Sequence, residues 1–249
     1  MGIVVQKFGG TSVQSTEKLF EICKHITKEY DKGNKVIVVV SAQGQTTNNL
    51  IKEAMEIDNN INKRELDVLI SIGEQITISK LAMCLKKLGY NAISLTGWQV
   101  PVKTNDIYGN ADILKINLDR IIKELNSGKI VIVAGFQGIN EETNNITTLG
   151  RGGSDTTAVA IASAIKAEKC DIYKDVDGIY NLDPKTNKKA IKYDKISYDE
   201  MLDLANNGAK VLHNKSVEIA KKFNIPICVK SSFEENSKGT LICWTNFIQ

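Results

Sequence analysis

Apolar residues in this chain follow two alternating rhythms, short unbroken runs and longer helical spacings. The runs are IVVQ (3–6), KVIVVVSA (35–42), NAISLTG (91–97), KIVIVAGFQG (129–138), CDIYKDV (170–176), IPICVKSS (225–232) and GTLICW (239–244). Most are too continuous for strands wet on one face, so they predict parallel strands buried on both faces. Between them, Leu19, Ile22, Cys23 and Ile26 recur at i, i+3, i+4, i+7 behind Ser15-Thr16-Glu17, which predicts a helix and its start. Residues 64–88 predict a helix stopped by Gly89, and LDRIIKELNSGK (118–129) a helix with a Ser-Gly stop. DTTAVAIASAIKA (155–167) predicts a helix of small residues able to pack tightly on a sheet. SYDEMLDLANNGA (197–209) and KSVEIAKKFN (215–224) add two more.

Strands alternating with helices predict an α/β fold on a parallel sheet covered on both faces. The polar stretches MEIDNNINKRE (55–65) and INEETNNITT (139–148) predict surface loops, the second as a β-turn connection. There is no internal repeat and no low-complexity linker. A shallow boundary near 145–150 predicts two lobes of one domain.

Composition narrows the class. The chain has 249 residues, 42% hydrophobic and 24% charged, as in a soluble globular protein with a large core. The net charge of +3 comes from lysines interleaved with acids, which indicates solvated helix faces rather than a nucleic-acid stripe. Of 32 basic residues only Arg64, Arg120 and Arg151 are arginine, so a site that keeps one uses its planar fork. Cys23, Cys84, Cys170, Cys228 and Cys243 form no CxxC pair, several lie in apolar runs, and the expectation is reduced, buried thiols rather than disulfides or zinc. The first residues carry no signal-peptide pattern, and no apolar run approaches membrane-spanning length, so a cytoplasmic protein without membrane or nucleic-acid partners is expected.

Four stretches carry candidate chemistry. In KFGGTSV (7–13) a strand ends in Lys7 and Gly9-Gly10. Glycines let backbone N–H groups approach an anion and the lysine adds a point charge, which suits a phosphate, though a plain turn with an exposed lysine fits equally. It is neither a GxxxxGK[ST] loop nor a GxGxxG fingerprint, which disfavours a nicotinamide-dinucleotide enzyme. In TLGRGGSDTTA (148–158) glycines surround Arg151, and Ser154 and Asp155 open a helix whose N-terminus attracts anions. Arg151 can grip a carboxylate bidentately; an N-cap alone explains Ser154 or Asp155 but not the arginine. DIYKDVDGIYNLDPKT (171–186) is an acidic Gly/Pro loop at the carboxyl edge of the sheet, read either as turn chemistry or as carboxylates facing a metal or ribose hydroxyls. In SIGEQITISKLAM (71–83), Glu74 lies in an apolar helical pattern, either facing solvent or receiving a substrate ammonium. His25 and His213 are far apart and have no nucleophile elbow, so structural or surface roles are expected. Phosphoryl transfer to a carboxylate needs no general base, because the acceptor is already ionised at pH 7.

Taken in order, KFGGTSV, VVVSAQGQTTN (38–48), GEQ (73–75), TLGRGGSDTTA, DVDGIYNLDP (175–184), GAKVLH (208–213) and KGTLI (238–242) resemble the aspartate kinases (aspartokinases) of the amino acid kinase superfamily. The resemblance covers the whole chain. It implies a three-layer α/β/α sandwich on one largely parallel sheet, with an aspartate-binding lobe at about 1–147 and a nucleotide-binding lobe at about 148–249 of a single catalytic domain. It implies transfer of the ATP γ-phosphoryl to the β-carboxylate of L-aspartate, giving 4-phospho-L-aspartate and ADP, the first step towards lysine, threonine, methionine and diaminopimelate.

By the same resemblance, Lys7 and the amides near Phe8, Gly9 and Gly10 hold the phosphates, with Mg2+ carried by the nucleotide and no metal bound by protein residues alone. Asp155 orients Lys7. Arg151 and Ser154 bind an aspartate carboxylate, Glu74 pairs with the α-ammonium, and Ser41 and Thr47 complete that pocket. Asp175, Tyr180 and Lys210 line the adenosine site, with Lys174 and Lys185 beside them.

The chain departs from the family at Lys174 (usually Thr), Lys185 (usually Arg), HNK at 213–215 (usually HPR), QGQ at 43–45 and Tyr108 (often His). It ends seven residues after GTLI, where most relatives continue into two ACT domains. The expectation is a catalytic domain without intrinsic lysine feedback, as a homodimer or with a separate ACT regulatory chain. A sister kinase acting on another small acid, and a nucleotide-binding regulatory subunit without turnover, are the competing readings.

Overall fold

The computed structural model describes residues 2–182, 184, 186–207 and 211–244. In chain order its elements begin with β1 (Ile3–Phe8), a one-turn 3-10 helix (Gly10–Val13), α1 (Thr16–Asp31), β2 (Lys35–Val40), α2 (Thr46–Ile57), α3 (Lys63–Ile70), α4 (Ile72–Lys87) and β3 (Ala92–Leu95). Then follow β4 (Val102–Thr104), β5 (Ile113–Ile116), α5 (Asp119–Asn126), β6 (Ile130–Ala134), β7 (Gln137–Asn140), β8 (Ile146–Thr148) and α6 (Gly153–Ala164). The last are β9 (Lys169–Lys174), β10 (Ile179–Tyr180), β11 (Lys192–Tyr193), β12 (Lys195–Ile196), α7 (Tyr198–Asn206), α8 (Asn214–Phe223), β13 (Ile227–Ser231) and β14 (Thr240–Ile242).

Eight strands form one sheet in the order β12-β14-β13-β9-β1-β2-β6-β3. All neighbours run parallel except β13 and β14. Alternation across the pleat explains the unbroken apolar runs. In β2, Ile37 and Val39 face one core with α5, α6, α7 and α8, while Val36, Val38 and Val40 face a second core with α1 and α4. The result is a mixed α/β fold with a mostly parallel sheet between two helical layers.

Several elements depart from the sequence expectation. GTLICW is a strand, but it turns back antiparallel on β13. The run KIVIVAGFQG breaks at Gly135-Phe136, where Phe136 takes a left-handed φ of 68°. Its first half joins the main sheet as β6, and its second half joins a four-stranded sheet, β5-β4-β7-β8. The predicted turn at 139–148 is the antiparallel β7–β8 hairpin. The expected 64–88 helix is two, α3 and α4, meeting at Ser71.

The expectation that no apolar stretch reaches spanning length is also corrected. The helical stretch Lys63–Lys87 is long and apolar enough by length and composition, with a mean hydropathy of 1.5 in its most apolar window, yet 56% of that window is buried inside the protein. Ile78, Leu81 and Leu85 of α4 lie in the core against β6, which makes it a core helix. Cys23, Cys84 and Cys170 are buried thiols, whereas Cys228 and Cys243 are half-buried.

Candidate active site

The carboxyl ends of β1, β2 and β9, adjacent in the sheet, open onto a cavity of about 320 Å³. Its lining includes Lys7, Gly10, Ser41, Thr47, Glu74, Ser154, Asp155 and Lys174. A crevice beyond the carboxyl edge is where open α/β sheets bind ligands. Here the sheet's own connectivity collects residues that lie far apart in sequence.

The lysine-bearing end is built around Asp155 in the first turn of α6. Asp155 Oδ1 lies 2.5 Å from Lys7 Nζ, and its Oδ2 lies 2.8 Å from Lys174 Nζ. Burial alone would raise the Asp155 pKa, but the two ammoniums outweigh it and hold the carboxyl at about 2. Burial pulls the Lys7 ammonium below its usual value, and Asp155 pulls it part of the way back. The carboxylate is therefore ionised between two lysines.

The glycines have distinct reasons. A Cβ on Gly10 would stand 2.8 Å from the Ala42 carbonyl, so only glycine lets the turn after β1 touch the turn after β2. At Gly152, which caps α6 at φ 72°, a Cβ would stand 2.4 Å from His213 Cβ. Both a left-handed backbone and a tight contact exclude a side chain there. The contact seats the start of α8 against the N-terminus of α6.

The other end of the cavity is the first turn of α4. Glu74 is 3% exposed, so the solvent-facing reading fails. Its Oε1 accepts the Ala42 backbone N–H at 2.9 Å, while Oε2 is buried without a hydrogen-bond partner among the described residues. Burial pushes its pKa up to about 7, with the Ala42 N–H opposing. A carboxylate that lines a polar cavity with one oxygen unpaired is an acceptor for a cationic donor.

The remaining expected site residues divide. Ser41, Thr47 and Ser154 line the cavity. Arg151 lies between Gly150 and Gly152 with its side chain exposed and paired with no carboxylate among the described residues. Phe8 lies in the core, stacked on Tyr173 at 4.5 Å, so only its backbone is at hand. Lys174 sits with Lys7 on Asp155, and the Tyr180 hydroxyl donates to Asp177 at 2.6 Å. Asp175 is exposed in the bend after β9. Lys185 and Lys210 lie outside the described residues.

Two supporting groups, Asp67 and Ser232, escape the sequence reading, and His25 takes the structural role expected of it. Asp67 of α3, fully buried, accepts Thr148 N and Thr148 Oγ1 at 2.8 Å and Gly109 N at 3.0 Å, fixing the entrance to the Arg151 loop. Its only sequence signal is an acid inside an apolar helical run. Ser232 donates from both N and Oγ to the Lys174 carbonyl at 2.9 Å and receives the Ser12 hydroxyl at 2.8 Å. His25 is buried, and its Nε2 lies 3.2 Å from the Ser232 carbonyl, a structural role beneath the site.

Comparison with known proteins gives a consistent picture. The profile of the amino acid kinase family matches residues 2–231. An aspartokinase of Geobacillus stearothermophilus is 56% identical over 242 residues, covering 97% of this chain and 59% of that protein. The crystal structure of an aspartate kinase from Synechocystis superposes with a TM-score of 0.86 at 44% identity, covering 99% of this chain and 40% of that one. E. coli aspartokinase III, in complex with aspartate and ADP, superposes with a TM-score of 0.86 at 30% identity, covering 98% and 65%. The present chain spans 58–59% of the length of the curated relatives it matches.

Proposed function

This chain belongs to the amino acid kinase family, and we propose that it transfers the γ-phosphoryl group of ATP to the β-carboxylate of L-aspartate. The observation that carries the reading is the pairing, in one cavity, of the unpartnered Glu74 Oε2 with the Lys7–Asp155–Lys174 cluster. One end suits an ammonium and the other a polyphosphate. That combination fits a free amino acid as acceptor. An acylated amine would leave Glu74 buried and unpaired, which disfavours N-acylated acids.

In this reading Lys7 and the backbone at Gly9 and Gly10 hold the transferring phosphoryl, helped by the positive end of α6. Ser41, Thr47, Ser154 and Arg151 bind the carboxylates of aspartate, and Glu74 takes its ammonium. Asp175, Tyr180, Lys185 and Lys210 serve the adenosine side. The acceptor carboxylate is ionised at neutral pH, so no side chain need remove a proton. Positioning and charge carry the step.

Among the described residues no cluster of His, Cys, Asp or Glu could hold a metal alone, and both Asp155 oxygens face ammoniums. In this reading Mg2+ would arrive on the nucleotide phosphates and would neutralise phosphate charge there. The reading implies an aspartate-binding lobe of about 1–147 and a nucleotide-binding lobe of about 148–249. It also implies a cytoplasmic step towards lysine, threonine, methionine and diaminopimelate, in a homodimer or with a separate ACT chain.

The test is ATP-dependent acyl-phosphate formation trapped with hydroxylamine, using L-aspartate, N-acetyl-L-aspartate and L-glutamate, with Lys7→Ala as control. Product from L-aspartate alone, lost in the control, supports the reading. Product only from the acetylated acid would overturn it.

A further inference from the structure

We propose that Lys174 is a second catalytic cation, whose ammonium takes the β-phosphate of ATP while Lys7 takes the transferring γ-phosphoryl. This deepens the function proposed above and rests on it.

The charge count is the first argument. Lys7 and Asp155 alone make a neutral pair, which has no net attraction for a polyphosphate. Among the described residues, Lys174 gives the cluster one net positive charge. Asp155 and Glu74 are the carboxylates lining the cavity among the described residues. Glu74 lies at the opposite end, held by the Ala42 N–H.

Position is the second. Lys7 is deep, with its side chain 5% exposed, whereas that of Lys174 is 21% exposed. Lys174 ends β9, the strand that leads into the loop carrying Asp175 and Tyr180. A polyphosphate entering from that loop meets Lys174 before Lys7.

Preorganisation is the third. The Lys174 carbonyl is clamped by both Ser232 N and Ser232 Oγ, and Ser232 is tied to Ser12 in the turn that follows Gly10. The backbone bearing the second cation is thus fastened to the backbone bearing the first. A cation fixed before substrate arrives needs no reorganisation during the reaction.

In the transfer, an acceptor carboxylate oxygen forms a bond to the γ-phosphorus. The bond from that phosphorus to the β,γ-bridging oxygen breaks, and its electron pair departs on the β-phosphate of ADP. No proton moves. Lys174 offsets the charge that accumulates on that leaving phosphate.

The experiment compares Lys174→Met and Lys174→Arg with the unaltered protein, measuring the Kd of a fluorescent ADP and the kcat of hydroxamate-trapped acyl-phosphate formation. Lys174→Met is expected to weaken ADP binding about tenfold and to lower kcat about 100-fold, with acceptor KM within about twofold. Lys174→Arg restores most of both. Lys174→Met with unchanged ADP affinity, or with weaker ADP but unchanged kcat, overturns the proposal. A lower melting temperature without a change in ADP affinity does so too, because it marks a purely structural lysine. If the unaltered protein binds ADP but forms no acyl phosphate from L-aspartate, the functional reading fails, and the ADP comparison still judges Lys174.

Discussion

Ala42 donates its backbone N–H to Glu74 Oε1 at 2.9 Å and leaves Glu74 Oε2 buried with nothing to accept among the described residues. The carboxyl is thereby costly when charged and empty-handed until a cation arrives. Its pKa rises from 4.5 to about 7. A carboxyl raised in the folded state lends stability that is whole below pH 4.5 and lost as pH climbs through 7. Without acceptor, Glu74→Gln should therefore be more stable than the unaltered protein at pH 8, by up to ~3 kcal/mol. Urea denaturation at pH 5 and pH 8 checks this. Equal gains at both would refute it.

In the proposed function the same ionisation governs acceptor binding. Only ionised Glu74 offers charge to an ammonium, so acceptor KM should fall as pH rises from 6 and level off above about 8, by up to ~10-fold per unit in the steep part. Glu74→Gln should flatten this profile and raise KM about 10- to 100-fold, the worth of one charge-assisted hydrogen bond. A pH-independent KM in the unaltered protein would sink the assignment.

Asp155→Asn leaves buried Lys7 and half-buried Lys174 as neighbouring cations without their shared anion. We expect a loss of about 3 kcal/mol in the ligand-free protein and at least a ~100-fold fall in turnover. ADP supplies negative charge, so it should raise the melting temperature of the variant more than that of the parent. The Asp155 carboxyl is held at about 2, below its ordinary 3.8. Its contribution is present above pH 3.8 and disappears as pH falls through 2, so the two proteins should converge on acidification. Equal ADP-induced shifts would contradict the shared-anion picture.

Asp67→Ala removes one acceptor from three donors, at Thr148 and Gly109, two of them in the strand that leads to the Arg151 loop. Orphaned buried donors cost about 1–3 kcal/mol each at most, so a loss of ~2–4 kcal/mol is expected by thermal denaturation. Because the tether lies beside the acceptor end, acceptor KM should rise more than nucleotide KM. Equal rises would mean that Asp67 supports the fold alone.

Much was legible in the chain itself. The unbroken apolar runs dictated strands buried on both faces, and the 3.6 spacing at Leu19, Ile22, Cys23 and Ile26 dictated the helix now seen as α1. Those patterns are local, because burial on one or two faces is written into neighbouring residues. Glycines around Lys7 and Arg151 also marked places of close backbone approach, since only a missing Cβ permits such contacts, and Gly10 and Gly152 line one cavity. Tertiary structure decided the rest. Whether Glu74 faced water or a cavity depended on Gly73 and Ala42 meeting across the helix N-terminus, where a Cβ on Gly73 would stand 2.6 Å from Ala42 Cβ. The reversal of β14 against β13 depended on sheet pairing, which no local periodicity encodes. The resemblance set Lys174 only beside the adenosine site. Parallel pairing of β9 with β1 sets Lys7 and Lys174 at one edge of the sheet, and the first turn of α6 brings Asp155 between them.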